Sequence, residues 1–368
     1  LSYNTFDVSC TGSADGQITA TPSLGTGPYL FSIDAGASFF TSNVFNGLSA
    51  VGGPYVVRVR DFNGCIANST PLTIIDPPAL TVTAARSFDH NGADVSCPAA
   101  FDGEITATAV GGTGTVVPLS YTYQILELAS NTSGNGDGVY DGLRAGTYTI
   151  LARDLNGCQA TANVVSLVDP PAIVPSSALT NAVSCNGLSD GVITVTASGG
   201  TITSTGTYTY TLAPTSNNSG VFTGLSFGTY TVVVSDDNDC AVNANPVVVS
   251  QPLPLTGSSS ILSSYFGANI SCVGANDGRV GATVGGGNGT FDFQLEDVLT
   301  GTFIPDPNGD SDGSYENLGP GEYRIRVSDG AFPTCFIITN SVIVKEPLPI
   351  TASTIISNNI SCFGDSDG

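Results

Sequence analysis

The sequence predicts an all-β chain, a tandem array of β-sandwich units, on three observations. A cysteine-bearing phrase recurs at near-constant spacing, apolar residues alternate with Thr and Ser at period two, and Gly, Asn, Asp and Pro punctuate the alternation closely, with helical periodicity absent throughout. The phrase Val-Ser-Cys or Ile-Ser-Cys ends at Cys10, Cys97, Cys185, Cys272 and Cys362, spaced by about 90 residues, as a tandem array requires. Asp-Gly follows each time, at Asp15, Asp102, Asp190, Asp277 and Asp367. Aligned on this phrase, the 368 residues divide into repeats at 1–76, 77–169, 170–251 and 252–346, with the start of a fifth at 347–368. Each repeat is long enough to bury a small core of its own. The chain has no initiator Met and breaks off inside a repeat, so it reads as an internal stretch of a longer protein.

Within the third repeat, Gly191 to Ala197 places Ile193, Val195 and Ala197 on one face and Thr194 and Thr196 on the other, a half-buried strand. Gly199-Gly200 ends it. An aromatic strand follows, with Tyr208, Tyr210 and Leu212 on alternate positions, matched by Tyr29, Phe31 and Ile33, by Tyr121, Tyr123 and Ile125, and by Phe291, Phe293 and Leu295. Large rings on every second residue are core packing; a carbohydrate-stacking stripe is the sharper alternative. The best-preserved segment comes next: Gly-Leu, a tight glycine turn, then a tyrosine (Tyr55, Tyr148, Tyr230, Tyr323) heading an alternating strand. At +2 and +4 from the tyrosine the residues are apolar, as in Val232, Val234, Ile325 and Val327, so one face of this tyrosine strand points inward. This is the pattern of a tyrosine corner, and it predicts tandem Ig-like or fibronectin-like sandwiches forming a rod.

Asp61-Phe-Asn-Gly-Cys65, Asp154-Leu-Asn-Gly-Cys158 and Asp236-Asp-Asn-Asp-Cys240 are hairpin turns into the last strand; the fourth repeat departs, with a longer turn from Asp329 to Cys335. Prolines then close each repeat, at Asp76-Pro-Pro, Asp169-Pro-Pro, Gln251-Pro-Leu-Pro and Glu346-Pro-Leu-Pro, predicting short, stiff junctions.

Two cysteines per repeat make a disulfide framework of an oxidising compartment, comprising Cys10, Cys65, Cys97, Cys158, Cys185, Cys240, Cys272 and Cys335. Connectivity turns on strand parity. With one strand between the aromatic and tyrosine strands, the two cysteines of a repeat share a pole and pair with each other; with two, they sit at opposite poles and can bridge to a neighbouring repeat. The short stretch from Ala213 to Gly220 favours one strand. Zinc at these thiols needs close cysteine pairs or histidines, and His90 is the single histidine.

Nine basic residues against 31 acidic ones oppose nucleic acid and anionic lipid as partners, and no apolar run reaches the length of a membrane-spanning helix. Catalysis lacks any recurring nucleophile and base pair, so the chain reads as no enzyme. Calcium has one candidate loop, Asp306, Asn308, Asp310 and Asp312, which alternates oxygen ligands but lacks the spacing of an EF-hand. The junction acids Asp76 and Asp169 are further candidates, weakened by Gln251 at the same place.

The ordered set Val-Ser-Cys, Asp-Gly-x-Ile, Gly-Gly, Tyr-x-Tyr, Gly-Leu, Gly-x-Tyr-x-Val-x-Val-x-Asp, Asn-Gly-Cys and closing Pro resembles the SprB repeat of giant cell-surface adhesins of gliding Bacteroidota. The resemblance spans essentially the whole chain. It implies export by the type IX route, display as extracellular filaments at the cell surface, and a stiff stalk role in attachment or gliding. The implied partners are neighbouring repeats and a surface polysaccharide. A glycan- or calcium-binding module of a secreted protein is the alternative.

Overall fold

The computed structural model of the chain describes residues 5–113, 121–128, 136–305 and 312–355, together with 363 and 366. The described residues form antiparallel strands and one short 3-10 turn, Ala50–Gly52. They group into two compact units. One comprises Leu1–Val174, Ala197–Thr209 and Val234–Val242; the other comprises Pro175–Thr196, Tyr210–Val233 and Asn243–Gly368.

The second repeat shows how the alternation becomes a sandwich. One sheet takes an opening strand, Thr81–Arg86, then Gly103–Val110, then Val139–Leu143. The other takes the aromatic strand Thr122–Ile125, the tyrosine strand in two pieces, Gly146–Tyr148 and Ile150–Arg153, and the last strand, also in two, Gln159–Thr161 and Val165–Leu167. Period two puts Ile105, Ala107 and Ala109 inward from the first sheet and Tyr123, Ile125, Ile150 and Ala152 inward from the second, in one buried cluster. The fourth repeat repeats this plan around Ile270, Val280, Leu295, Tyr315, Ile325 and Val327, and the first around Val8, Ile18, Phe31, Leu48, Val57 and Ile74. Each aromatic strand sends a ring into the core: Tyr123, Tyr210, Phe31 and Phe293 are all buried, whereas Tyr29, Tyr208 and Phe291 are half-buried.

The opening strand was not evident in the sequence. Val174–Asn181 and Leu253–Ile261 contain prolines and runs of Ser, and they lie at a sheet edge with mostly exposed side chains, where little apolar alternation is needed.

Strand parity departs from the single-strand reading. In the third repeat Thr209–Leu212 folds back at once into Thr215–Asn217, inside the stretch read as a loop, before Val221–Leu225 begins. The fourth repeat does the same with Phe291–Asp297 and Thr302–Pro305, and the first with the isolated bridge between Phe31 and Phe40. In these three repeats the chain therefore makes two passes between the aromatic and tyrosine strands. A three-residue edge strand of Thr, Ser and Asn carries no apolar period, so sequence alternation cannot register it.

Two recurrent residue types follow from close packing. The glycine of Asp-Gly is present for space: a Cβ on Gly103 would lie 2.7 Å from Leu167 Cδ1 and 3.0 Å from the Leu143 carbonyl, and one on Gly278 would lie 2.8 Å from the Leu318 carbonyl. The corner tyrosine donates its hydroxyl across the crossover in every repeat, Tyr55 to Ser49 O (2.9 Å), Tyr148 to Arg144 O (2.9 Å), Tyr230 to Ser226 O (3.0 Å) and Tyr323 to Gly319 O (3.2 Å). Replacing Tyr148 by Phe leaves that carbonyl without its partner and is expected to cost the second repeat about 1–3 kcal/mol, measured by urea unfolding.

Candidate functional site: the junctions between repeats

Two passes place the two cysteines of each repeat at opposite poles. Cys97 lies in the turn between the opening strand and Gly103–Val110, whereas Cys158 lies beyond the far end of the tyrosine strand, in the turn leading to Gln159–Thr161. The expected pairing within a repeat is therefore corrected. The disulfides run from the first cysteine of one repeat to the second cysteine of the next: Cys10–Cys158, Cys97–Cys240 and Cys185–Cys335, with Cα separations of 5.7, 5.6 and 5.6 Å, inside the range that unstrained bridges occupy. Cys65 and Cys272, also expected in disulfides, are free and exposed. Cys362 lies outside the described residues.

Three sets of hydrogen bonds build the poles that present these cysteines. The Asp of Asp-Gly reaches back to the Ser before the first cysteine, taking the N–H of Ser9 on Asp15, Ser96 on Asp102, Ser184 on Asp190 and Ser271 on Asp277 at 3.0–3.1 Å. The Ser184 hydroxyl also donates to Asp190. These bonds hold the carboxyls below the usual range: the Ser184 hydroxyl and N–H do so at Asp190, and the Ser271 hydroxyl and N–H at Asp277. At Asp102 burial pushes upward, and the hydrogen bonds from Ser96 outweigh it.

The aspartate four to six residues before the second cysteine gathers the other pole. Asp154 accepts the N–H of Cys158 (2.9 Å) on one oxygen and the N–H and hydroxyl of Thr113 (both 2.9 Å) on the other. Asp236 takes Cys240 (3.0 Å) and Thr201 (2.8 Å), and Asp329 takes Asn288 (2.8 Å) and Ala331 (3.0 Å). All three carboxylates are buried. The Gly-Gly pair exists for this approach: Gly112, Gly200 and Gly287 have positive φ, and a Cβ on them would lie within 2.5–2.8 Å of the aspartate oxygen. In the first repeat Asp61 is partly exposed, and the Cys65 N–H is the main influence keeping its carboxyl low.

The junction acids have a structural use that also fits Gln251. Each caps the turn after the first cysteine of its own repeat: Asp76 accepts from Gly12 N–H (3.2 Å), Asp169 from Ala99 (3.0 Å), Gln251 from Gly187 (2.9 Å) and Glu346 from Gly274 (3.2 Å). Any side-chain oxygen serves, so charge is dispensable there. The prolines beside them extend the tie. The N–H of Gly112 donates to Pro78 O and that of Gly200 to Pro171 O, both at 2.8 Å, while Asn186 reaches Pro252 O at 3.0 Å. Asn238 adds a contact that sequence reasoning missed, donating to the carbonyls of His90 (3.0 Å) and Ser96 (3.1 Å); its only signal was its place in the Asp-x-Asn turn.

Of the calcium candidates, Asp306, Asn308 and Asp310 lie outside the described residues. Asp312 accepts the N–H of Ser314 at 2.7 Å, a local turn bond. Among the described residues no three His, Cys, Asp or Glu side chains gather as a metal site, and no helix is long and apolar enough to cross a membrane.

The family model of the SprB repeat matches the chain four times, over residues 2–38, 91–130, 178–217 and 267–300. Four segments of the chain thus match the SprB repeat. Each matched segment takes in the first cysteine and the aromatic strand and stops short of the second cysteine, so the residues that receive the inter-repeat bridges lie outside the matched part of each SprB repeat. No curated protein matches the chain. Among solved structures, the three N-terminal domains of the Hoc outer capsid protein of bacteriophage RB49 align at 14% identity over 72% of this chain and 95% of theirs, with a TM-score of 0.30. Drosophila OTK extracellular domains 3–5 align at 12% over 68% and 93%, with a TM-score of 0.24. The Clostridium thermocellum CbhA fibronectin(III)-like modules align at 14% over 47% and 94%, with a TM-score of 0.22.

Peptide mapping of the unreduced chain is expected to yield the pairs Cys10–Cys158, Cys97–Cys240 and Cys185–Cys335; recovery of Cys97 joined to Cys158 contradicts the topology. At the junction, Asp76→Asn keeps an acceptor oxygen and is expected to leave stability nearly unchanged, whereas Asp76→Ala loses about 0.5–1.5 kcal/mol by chemical unfolding. Acid stability tests the pole carboxylates. Their folded pKa values are depressed, so their contribution is complete above the unfolded value, near 3.8, and is lost as pH falls through the folded ones. Outside the poles, the Ser32 hydroxyl and the Ser38 N–H lower Asp34 to about 2. Urea midpoints should therefore hold from pH 7 to about pH 5 and fall below about pH 4.

Proposed function

We propose that this chain is a load-bearing segment of a large extracellular adhesin or filament, a stiff stalk at the bacterial cell surface that serves attachment or gliding. The observation that carries the reading is the overlap of the disulfide loops. Cys10–Cys158 and Cys185–Cys335 span 148 and 150 residues, and Cys97–Cys240 overlaps both. A pull along the chain can pass from Cys10 to Cys158, along residues 158–185, and from Cys185 to Cys335, so most of each sandwich is outside the covalent path of the force. Such bridging suits a tether that must not lengthen, and it requires an oxidising compartment, in keeping with export. Short prolyl junctions pinned by backbone hydrogen bonds support stiffness. SprB repeats, the resemblance to gliding adhesins and the acidic surface support the cell-surface setting; type IX export and a Bacteroidota source belong to the same proposal. The recurrent acids have structural work as acceptors of backbone N–H groups, which favours a mechanical role over a catalytic one.

Single-molecule stretching between the chain ends tests this. The oxidised chain is expected to stop lengthening early, and reduction under load should release roughly 1,000 Å more, at about 3.3–3.6 Å per freed residue. Equal contour lengths with and without reductant would remove the load-bearing role.

A further inference from the structure

We propose that the junction between the third and fourth repeats is a binding site for a neutral oligosaccharide. A cavity of about 560 Å³ opens there, within the size range of small-ligand sites. Its walls belong to one compact unit, the second. Two departures from the repeat meet in it. Between the opening strand and the buried residue before Ser-Cys, the second and fourth repeats carry residues 87–94 and 262–269, each closed by a small bridge, His90 to Ala93 and Tyr265 to Ala268. The third repeat has Ala182 alone at this place, between Asn181 and Val183. The fourth repeat has the lengthened turn from Asp329 to Cys335, and this turn supplies Phe332 to the cavity wall.

The junction between the second and third repeats shows what these departures change. There the extra loop closes on the shorter turn: Asn91 donates to Asn238 Oδ1 (2.7 Å), and Asn238 donates to the His90 carbonyl (3.0 Å). The cavity left beside them, about 440 Å³, is lined by the Arg86–Asp94 ion pair and has no aromatic ring in its described wall. At the next junction the loop is missing, the ion pair has no counterpart, and Phe332 lines the cavity with 41% of its surface exposed.

The lining selects the chemistry of the ligand. None of its described residues is basic, so an anionic group would meet the carboxylate of Asp190 unopposed. Asp190 is also the one acid among them and already accepts the N–H and hydroxyl of Ser184, so a divalent cation lacks the several oxygen ligands it needs. Amides, hydroxyls and one ring remain. Gln251 spends Oε1 on the Gly187 N–H (2.9 Å) and keeps two N–H donors, while Asn288 spends Nδ2 on Asp329 (3.1 Å) and keeps Oδ1. The Asn181 side chain has no partner among the described residues. Sugar hydroxyls donate and accept at once, and a sugar's C–H face packs on an aromatic plane, so a neutral sugar matches this set. The walls are fixed in advance: Cys335 N–H donates to Phe332 O (2.8 Å), and the Cys185–Cys335 disulfide ties that turn to the residue after Ser184.

This site deepens the stalk reading, on whose extracellular setting it rests, by placing a ligand contact within the stalk. The intact oxidised chain is applied to a panel of neutral, uronate-bearing and sulfated oligosaccharides, and the best ligand is titrated by calorimetry. Saturable binding of a neutral oligosaccharide at one site per chain is expected. Phe332→Ala and Asn181→Ala should each weaken it at least tenfold, and Asn91→Ala, at the other junction, should leave it unchanged. Recovery of the Cys185–Cys335 peptide and an unaltered urea midpoint check that the variants are folded; Asn181 is exposed, so its variant serves if Phe332→Ala unfolds. No neutral ligand on the panel, selection of acidic glycans, or full affinity in the folded variants would overturn the proposal. Binding reads this cavity and stretching reads the disulfide loops, so either can fail without the other.

Discussion

Two passes of chain between the aromatic and tyrosine strands decide most of what is distinctive here. With an even number of crossings, the turn that holds Cys97 and the turn that holds Cys158 fall at opposite ends of one sandwich, too far apart for a bridge that needs Cα atoms within about 7 Å. The cysteines then have partners only across a junction. The bridges recur as a set, each leaving one repeat at its first cysteine and entering the next at its second. An edge strand of three polar residues, Thr215–Asn217, contributes almost nothing to the core, yet it sets the covalent connectivity of the array.

Backbone N–H groups at the poles explain the recurrent acids. A turn crowded against another turn leaves donors that strands cannot satisfy, and a carboxylate can accept from two of them at once. Asp154 joins the Gly-Gly turn to the cysteine turn in this way, and Asp190 holds Ser184 beside Cys185. Where one acceptor oxygen suffices, as at the junction, Gln251 replaces an acid without loss. The recurrent aspartates are therefore part of the hydrogen-bond scaffold that aims the cysteines.

Much of the fold was legible because burial leaves a period. Ile193 with Val195, Tyr121 with Tyr123, and Val232 with Val234 announce their strands, and Tyr148 after a Gly turn announces the corner. The opening strand and the extra edge strand were illegible, being polar and half exposed, and the parity of the sandwich depended on the second of these. The cysteines were legible as a framework and their partners were not, since spacing alone does not say which pole a turn occupies. Asp-Gly was legible only as a recurrence; the glycine at Gly103 is required by the carbonyl of Leu143 packed against it, a three-dimensional proximity that no local pattern encodes.

The opposite-pole placement also imposes an order in time. A chain emerging from its amino end completes the second repeat while Cys97 still has no partner, because Cys240 lies 143 residues further on. Cys158 appears sooner, but the folded sandwich holds it away from Cys97 and beside Cys10. Each folded repeat thus keeps its own thiols apart, and its first cysteine can be bridged only by a chain segment that belongs to the repeat after it.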